Sequence, residues 1–138
     1  MKVDPETEAA VMSVLNRLNE ATARRDVAGV LELFGTDHDI LLMGSEADEV
    51  AVGPSELKAF LERAFASQPA AYRFEWRSHS VSGAGSVCWV TINASIHTNG
   101  MVVPYRVTAV LEKRDNRWFL MQYHGSEPAR GQAKEKAE

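Results

Sequence analysis

The stretch "VCWVTINASIHTNGMVVPYRVTAVLEKRDNRWFLMQYHGS", residues 87–126, decides the fold of this chain. Apolar and polar residues alternate through most of it with a period of two, which predicts β-strands. Asn99 and Gly100 favour a type I′ turn, and the polar run 114–117 favours a second tight turn. Turns this short join antiparallel neighbours. With a similar pattern upstream, the predicted strands lie at about 72–82, 86–98, 101–113 and 117–125.

Three helices are predicted before these strands. Asp4 is a suitable N-cap, and Pro5 fits the first turn because its missing N–H would be unpaired there. Asp26 caps a second, short helix, and a third begins at Gly53, with two short strands between them, the first near 40–43. A sheet wider than its covering helices leaves a pocket between the layers. The predicted class is α+β: a cone-shaped, curved antiparallel sheet (an α+β barrel) packed by three N-terminal helices.

The composition is that of one soluble domain. The chain has 138 residues, of which 45% are hydrophobic and 25% charged, so it can bury a core. We expect the domain to span residues 1–127 and a flexible tail without apolar pattern to occupy 128–138. The net charge of −4 argues against nucleic-acid and anionic-membrane partners. Without an apolar run of membrane-spanning length or a signal-peptide core, a cytoplasmic location is expected.

No cofactor or metal site is expected. Two acidic segments, "TDHD" and "SEADE", lie in separate turns, and no set of His and Cys residues has the spacing of metal ligands. The glycines within 83–85 join two strands and do not open a helix, so the sequence has no phosphate-binding loop there. The histidines outside the last strand have structural interpretations: His38 in a loop, His79 at an edge and His97 on the polar outer face.

The end of the chain resembles a known family, the SnoaL-like branch of the nuclear transport factor 2-like superfamily. The matching residues are Arg106, Thr108, Trp118, His124 and Ser126. The resemblance covers roughly residues 4–127 and implies a curved-sheet cone, a mostly apolar pocket and a homodimer through the outer sheet face. The superfamily includes isomerases, dehydratases, cyclases, hydrolases and catalytically silent binding domains, so the fold alone does not define one function.

The segment "MQYHGSE" is also similar to the last strand of bacterial ketosteroid isomerase, which allows one activity to be examined. That enzyme needs a carboxylate base on an early strand and an acid facing it across the pocket. The comparison places Leu41 at the base position and Thr108 at the acid position. Neither side chain can perform its role, so this isomerase chemistry is predicted to be absent. Asp39 is the nearest carboxylate to the base position.

The same comparison predicts which side chains face the pocket. It turns Arg106 and Thr108 inward and His124 outward, toward the dimer face. An inward arginine needs a partner, either a carboxylate such as Glu75 or an anionic ligand group bound by the guanidinium. The predicted pocket lining is Phe34, Met43, Trp76, Arg106, Thr108, Met121 and Tyr123.

Three functions fit these observations. The first is a homodimeric small-molecule-binding domain, in which the inward arginine holds an anionic or polar ligand group. The second is a small enzyme of isomerase, cyclase or hydrolase type that uses His124 or Asp39 as general base. The third is a scaffold that dimerises through the outer sheet face. The residues assigned to that face are Trp89, Val107 and Leu111.

Overall fold

The computed structural model describes residues 1–67 and 72–129 of the chain. The elements of this part follow the predicted order, and each long strand begins and ends within two residues of its predicted bounds. The helices are α1 (Pro5–Ala23), α2 (Val27–Leu31) and α3 (Gly53–Ser67). The strands are β1 (Leu41–Met43), β2 (Val50–Val52), β3 (Tyr72–Ala84), β4 (Val87–Thr98), β5 (Met101–Arg114) and β6 (Arg117–Ser126).

The first two helices begin where the sequence places their caps. The Asp4 carboxylate accepts a hydrogen bond from the backbone N–H of Thr7 at 2.7 Å. The Asp26 carboxylate accepts one from the N–H of Gly29 at 2.9 Å. Each cap satisfies a backbone donor of the first turn that has no partner within the helix.

The strands form one mixed sheet in the order β2-β1-β6-β5-β4-β3. Strands β3 to β6 make the predicted antiparallel meander, whereas β1 runs parallel to β6. The prediction of a wholly antiparallel sheet is wrong at this pair, because no tight turn joins β1 to β6. The curved sheet does not close into a barrel, and its α+β class is confirmed.

The inner face of the sheet packs against the helices and holds the core. Leu15 of α1 and Leu57 of α3 are fully buried in it. Burying one leucine side chain contributes roughly 1.5–3 kcal/mol, so such contacts hold the two layers together. The buried inner residues of β4 and β5 are Cys88, Val90, Ile92, Ala94, Ile96, Val107, Ala109 and Leu111.

A β-bulge changes which side chains of β6 face inward. The pairing of β6 with β5 skips Met121. Leu120 and Tyr123 therefore both face inward, at 0% and 5% exposure, although a regular strand would place them on opposite faces. Simple alternation would assign Leu120 to the outer face with His124, and the bulge is the reason that it fails.

Most of the predicted C-terminal tail, from residue 130 onward, lies outside the described residues. Among the described helices, none combines the length and the apolar composition that a membrane span requires.

Candidate functional site

A cavity of about 110 Å³ lies between the helices and the inner face of the sheet. Leu18 and Thr22 of α1 and Phe60 and Phe65 of α3 close it from the helical side. Most of its lining is apolar or aromatic, which is typical of ligand pockets. From the sheet, the cavity is lined by Leu42, Met43, Tyr72, Phe74, Tyr105 and Tyr123.

A pair of buried tyrosine hydroxyls lies in this cavity, whose lining also includes Thr22 and Glu49. The Oη atoms of Tyr105 and Tyr123 are 3.4 Å apart, longer than the usual O–H···O distance of about 2.7–2.8 Å. Burial raises the pKa of both phenols, so both keep their protons at neutral pH. One proton can bond within the pair. The other has no acceptor among the described residues, so the pair can donate one hydrogen bond to a ligand.

Gly125 makes room for this pair. A Cβ atom placed on Gly125 would lie 1.6 Å from the Oη of Tyr105. The hydroxyl therefore occupies the space that any larger residue would need. Glycine is required at this position because the Tyr105 hydroxyl approaches closely. The backbone conformation does not require it, since Gly125 is not among the residues with positive φ.

Stacked aromatic rings fix the wall beside the hydroxyl pair. The Phe74 ring stacks on Tyr105 and on Trp76, with centroids 5.1 and 5.2 Å away, and Tyr72 meets it edge-on at 5.8 Å. The Asn19 side chain anchors the strand by donating to the Phe74 carbonyl at 2.6 Å and accepting from its N–H at 2.7 Å. These contacts hold β3 against α1 and keep the ring positions defined.

The rings of Tyr72 and Tyr105 also border a wider depression of about 310 Å³, open to solvent, that adjoins the cavity. Its lining includes Glu46, Glu49 and Glu127 and no lysine or arginine. Partial desolvation raises the pKa of Glu127, and the carboxylates of Glu49 and Glu46 raise it further. This depression, which we call the mouth of the cavity, is therefore electronegative.

Two hydrogen bonds fix the backbone segments that carry the glutamates of the mouth. The Glu49 carboxylate accepts from the backbone N–H of Glu46 at 2.8 Å, which closes the turn between β1 and β2. The backbone N–H of Glu127 donates to the Ser45 hydroxyl at 2.8 Å and ties the end of β6 to that turn. In the described part of the chain, no three His, Cys, Asp or Glu side chains come together as metal ligands.

Comparison with known proteins agrees with this architecture. The family model of the SnoaL-like domain matches residues 11–130, which is most of the chain. The chain belongs to the SnoaL-like family. No curated protein matches its sequence.

Solved structures similar to this SnoaL-like domain confirm the fold. A cystatin-like protein of unknown function from Nostoc punctiforme superposes with a TM-score of 0.80 at 15% identity, covering 94% of this chain and 97% of the other. An NTF2-like protein of unknown function from Pseudomonas putida superposes with a TM-score of 0.80 at 17% identity, covering 94% of this chain and 93% of the other. A ketosteroid isomerase-like protein from Erwinia carotovora superposes with a TM-score of 0.70 at 20% identity, covering 91% of this chain and 99% of the other. At these identities the similarity concerns the fold alone.

The SnoaL-like domain places only part of the predicted lining at the cavity. Met43 and Tyr123 line it, and their role in ligand binding stays a prediction. Phe34, Trp76 and Met121 pack in or against the core but are not among the cavity-lining residues.

The prediction that Arg106 and Thr108 face inward is wrong. Both are exposed on the outer face of the sheet, where they border a shallow groove. Their orientation follows from the strand itself, because the adjacent Val107 and Ala109 are buried and successive side chains alternate. The comparison with the isomerase strand gave the opposite face, although the apolar alternation within β5 indicates the observed one.

The outer-face prediction for His124 is confirmed. His124 lies opposite the exposed Thr108 in the pairing of β5 with β6 and is not among the cavity-lining residues. Asp39 is exposed and also does not line the cavity. Of the residues assigned to a dimerising outer face, Trp89 is exposed there, whereas Val107 and Leu111 are buried on the inner face, so that part of the prediction is wrong.

A pairing of Arg106 with Glu75, one of the two alternatives predicted for an inward arginine, is not formed. Glu75 instead contacts His97 at 2.7 Å and Arg77 at 3.8 Å, on the outer face. The hydrogen bond to His97 and the charge of Arg77 lower the pKa of Glu75. The outer-face position of His97 is confirmed. Because Arg106 lies on the outer face, an anion bound to Arg106 would not lie inside the cavity.

Sequence reasoning missed the residues that give the cavity its polarity. Tyr105 could have been found, because it belongs to the inward series of alternate β5 residues that includes Val107 and Ala109. Glu49 and Glu127 could not, since they meet only after β1 aligns beside β6.

Proposed function

We propose that this SnoaL-like protein is a homodimeric small-molecule-binding domain whose ligand occupies the cavity between the helices and the sheet. The observation that carries the proposal is the buried pair of Tyr105 and Tyr123 hydroxyls in a mostly apolar wall. A buried polar group is unfavourable unless its hydrogen bonds are made. A ligand with an oxygen acceptor would supply the bond that the pair lacks.

The dimensions of the site limit the ligand. The cavity holds about 110 Å³, below the roughly 300–1,000 Å³ of pockets for drug-sized molecules. An engineered apolar cavity of about 150 Å³ takes benzene, so the cavity suits a group of a few heavy atoms. The adjoining mouth of about 310 Å³ gives space for the remainder.

The positions of Arg106 and of the glutamates at the mouth argue against an anionic group on the ligand. Arg106 lies on the outer face, and the mouth carries Glu46, Glu49 and Glu127, which repel a carboxylate. A general base must lie within hydrogen-bond reach of the ligand proton, and neither His124 nor Asp39 lines the cavity. The geometry therefore best supports a binding function in which neither His124 nor Asp39 acts as a general base.

The homodimer rests on the uncovered outer face of the sheet. In the described residues, the helices cover the inner face only, while Trp89 is 41% exposed on the outer one. Thr91 lies next to Trp89 on the same face of β4 and is paired with the exposed Thr108 of β5. A second copy would cover this face by a two-fold arrangement, which is the commonest symmetry of homodimers.

An NMR titration tests the binding function. We choose 1-methoxybutane as a probe because it is neutral, narrow and carries an ether oxygen near one end. The expected result is a saturable shift of amide signals around the cavity, including those of Phe60, Tyr105 and Tyr123. Shifts that do not saturate, or that spread evenly over the surface, would contradict the proposal.

A further inference from the structure

We propose that the ligand is a small organic cation, whose ammonium group lies at the mouth and whose uncharged end, bearing an oxygen acceptor, enters the cavity. This inference rests on the proposed binding function and names its ligand class. Two independent features carry it: the charge of the mouth and the donor inside the cavity.

The first feature is the charge of the mouth. Glu46, Glu49 and Glu127 border it without a lysine or arginine in the lining. The Glu49 carboxylate is held by the N–H of Glu46, and the backbone of Glu127 is tied to Ser45, so the two segments that carry these glutamates are fixed relative to each other. Opposite charge near such groups is favourable, and the effect is stronger where part of the surroundings is protein.

The second feature is the buried hydroxyl of Tyr123. Its residue is 5% exposed, and its one hydrogen-bond partner in the described residues is the Tyr105 hydroxyl at 3.4 Å. The pair therefore points to an acceptor on the ligand and not to a second cation. The site thus has two requirements: an acceptor beside the hydroxyl pair and a positive charge toward the carboxylates, of which Glu49 lines both the cavity and the mouth.

Aromatic rings lie at the boundary between the two ends. Tyr72, Phe74 and Tyr105 line both the cavity and the mouth. The faces of aromatic rings attract cations, by about 0.5–2 kcal/mol depending on desolvation. An ammonium group on an apolar chain that passes these rings would meet favourable surfaces along its whole length.

A bare metal ion fits the mouth less well. The three glutamates are not among any group of side chains close enough to hold a metal in the described part of the chain. Carboxylates that border an open depression without converging suit a larger, diffuse cation. Arg25 does not line the mouth, and although its charge reaches Tyr72, the three carboxylates outnumber it.

Three probes of nearly the same shape test the inference: 3-methoxypropylamine, 1-methoxybutane and 4-methoxybutanoate. They share the methoxy end and differ in the charge of the other end. In NMR titrations of the full chain at neutral pH, we expect the amine to bind about tenfold more tightly than the ether, equivalent to about 1.4 kcal/mol, and the carboxylate to bind more weakly than both.

Variants identify the groups responsible. Glu49→Gln with Glu127→Gln keeps the shape of the mouth and the acceptor for the N–H of Glu46. It should reduce amine affinity about tenfold and change the affinity for the uncharged ether by less than about threefold, because the ether has no charge for the carboxylates to attract. Glu62→Gln, on the exposed side of α3, is the matched control and should leave both affinities unchanged.

The outcomes separate the two proposals. Equal affinity for amine and ether, or an amine affinity unchanged by the double variant, would overturn the inference and leave the binding function in place. If none of the three probes binds, both proposals fail.

Discussion

The hydroxyl oxygens of Tyr105 and Tyr123 lie 3.4 Å apart inside the cavity, on neighbouring strands of the sheet. Two phenols that both stay protonated have two protons to donate, and a contact between them uses one. The remaining donor is the feature on which the proposed ligand binding depends.

Removing both hydroxyls should weaken binding more than removing either one. In Tyr105→Phe or Tyr123→Phe the remaining phenol can still donate to an ether oxygen, so the affinity for 1-methoxybutane should change by less than about threefold. The double variant lacks both donors and should lose about tenfold, because one hydrogen bond contributes about 0.5–1.5 kcal/mol. NMR titration measures all three, and an unchanged double variant would refute the role of the pair.

Gly125→Ala should destabilise the protein by about 1–3 kcal/mol. The added methyl group collides with the Oη of Tyr105 and forces the ring out of its stacked position. Urea denaturation measures the change. Ser126→Ala, on the adjacent residue, is the control and should stay within about 0.5 kcal/mol of wild type. A Gly125→Ala protein as stable as the control would show that the ring moves freely.

The ion pair of Asp37 and Arg114 should make stability depend on acid pH. Two bonds, at 2.6 and 2.9 Å, join the carboxylate and the guanidinium, and the hydrogen bond to Arg114 lowers the pKa of Asp37. A lowered pKa in the folded state means that the stabilisation is present above the unfolded value of about 3.9 and is lost as pH falls through the folded value.

Asp37→Asn should therefore be less stable than wild type at pH 7, and the difference should shrink as the pH falls below about 4. Denaturation at several pH values measures it, with the exposed Asp39→Asn as control. A difference that stays constant down to pH 2 would contradict this explanation.

The outer face should support dimerisation. Light scattering at micromolar concentration should give twice the mass of the 15.3 kDa chain. Thr108→Asp places like charges at the proposed contact and should yield monomers, whereas Ser13→Asp, on the exposed side of α1, should stay dimeric. A wild-type monomer would refute the homodimer and leave the cavity proposal untouched.

Much of the fold could be predicted because local signals agree with it. Asp4 and Asp26 cap their helices as expected, and the alternation from Cys88 to Ile96 identifies the inner face of β4. The bulge at Met121 could not be predicted, because it lies in an apolar run where a period of two is not visible. The parallel pairing of β1 with β6 depends on tertiary packing and has no local signal.

The candidate site was harder to predict for related reasons. The comparison with the isomerase strand predicted the wrong face for Arg106. An alignment shift of one residue moves every side chain of a strand to the opposite face of the sheet. The same comparison predicts an inward Tyr123, which is the position observed. The size of the cavity depends on the distance between the helices and the sheet, which no single residue sets.

Filling the cavity tests the central claim most directly. Ala64 of α3 lines the cavity, while Ala66 of the same helix is exposed, so Ala64→Leu and Ala66→Leu add the same atoms to the inside and the outside of one helix. Titration with 1-methoxybutane should show saturable binding to wild type and to Ala66→Leu, and at least tenfold weaker binding to a folded Ala64→Leu. Equal affinity in all three proteins would place the ligand elsewhere and contradict the account.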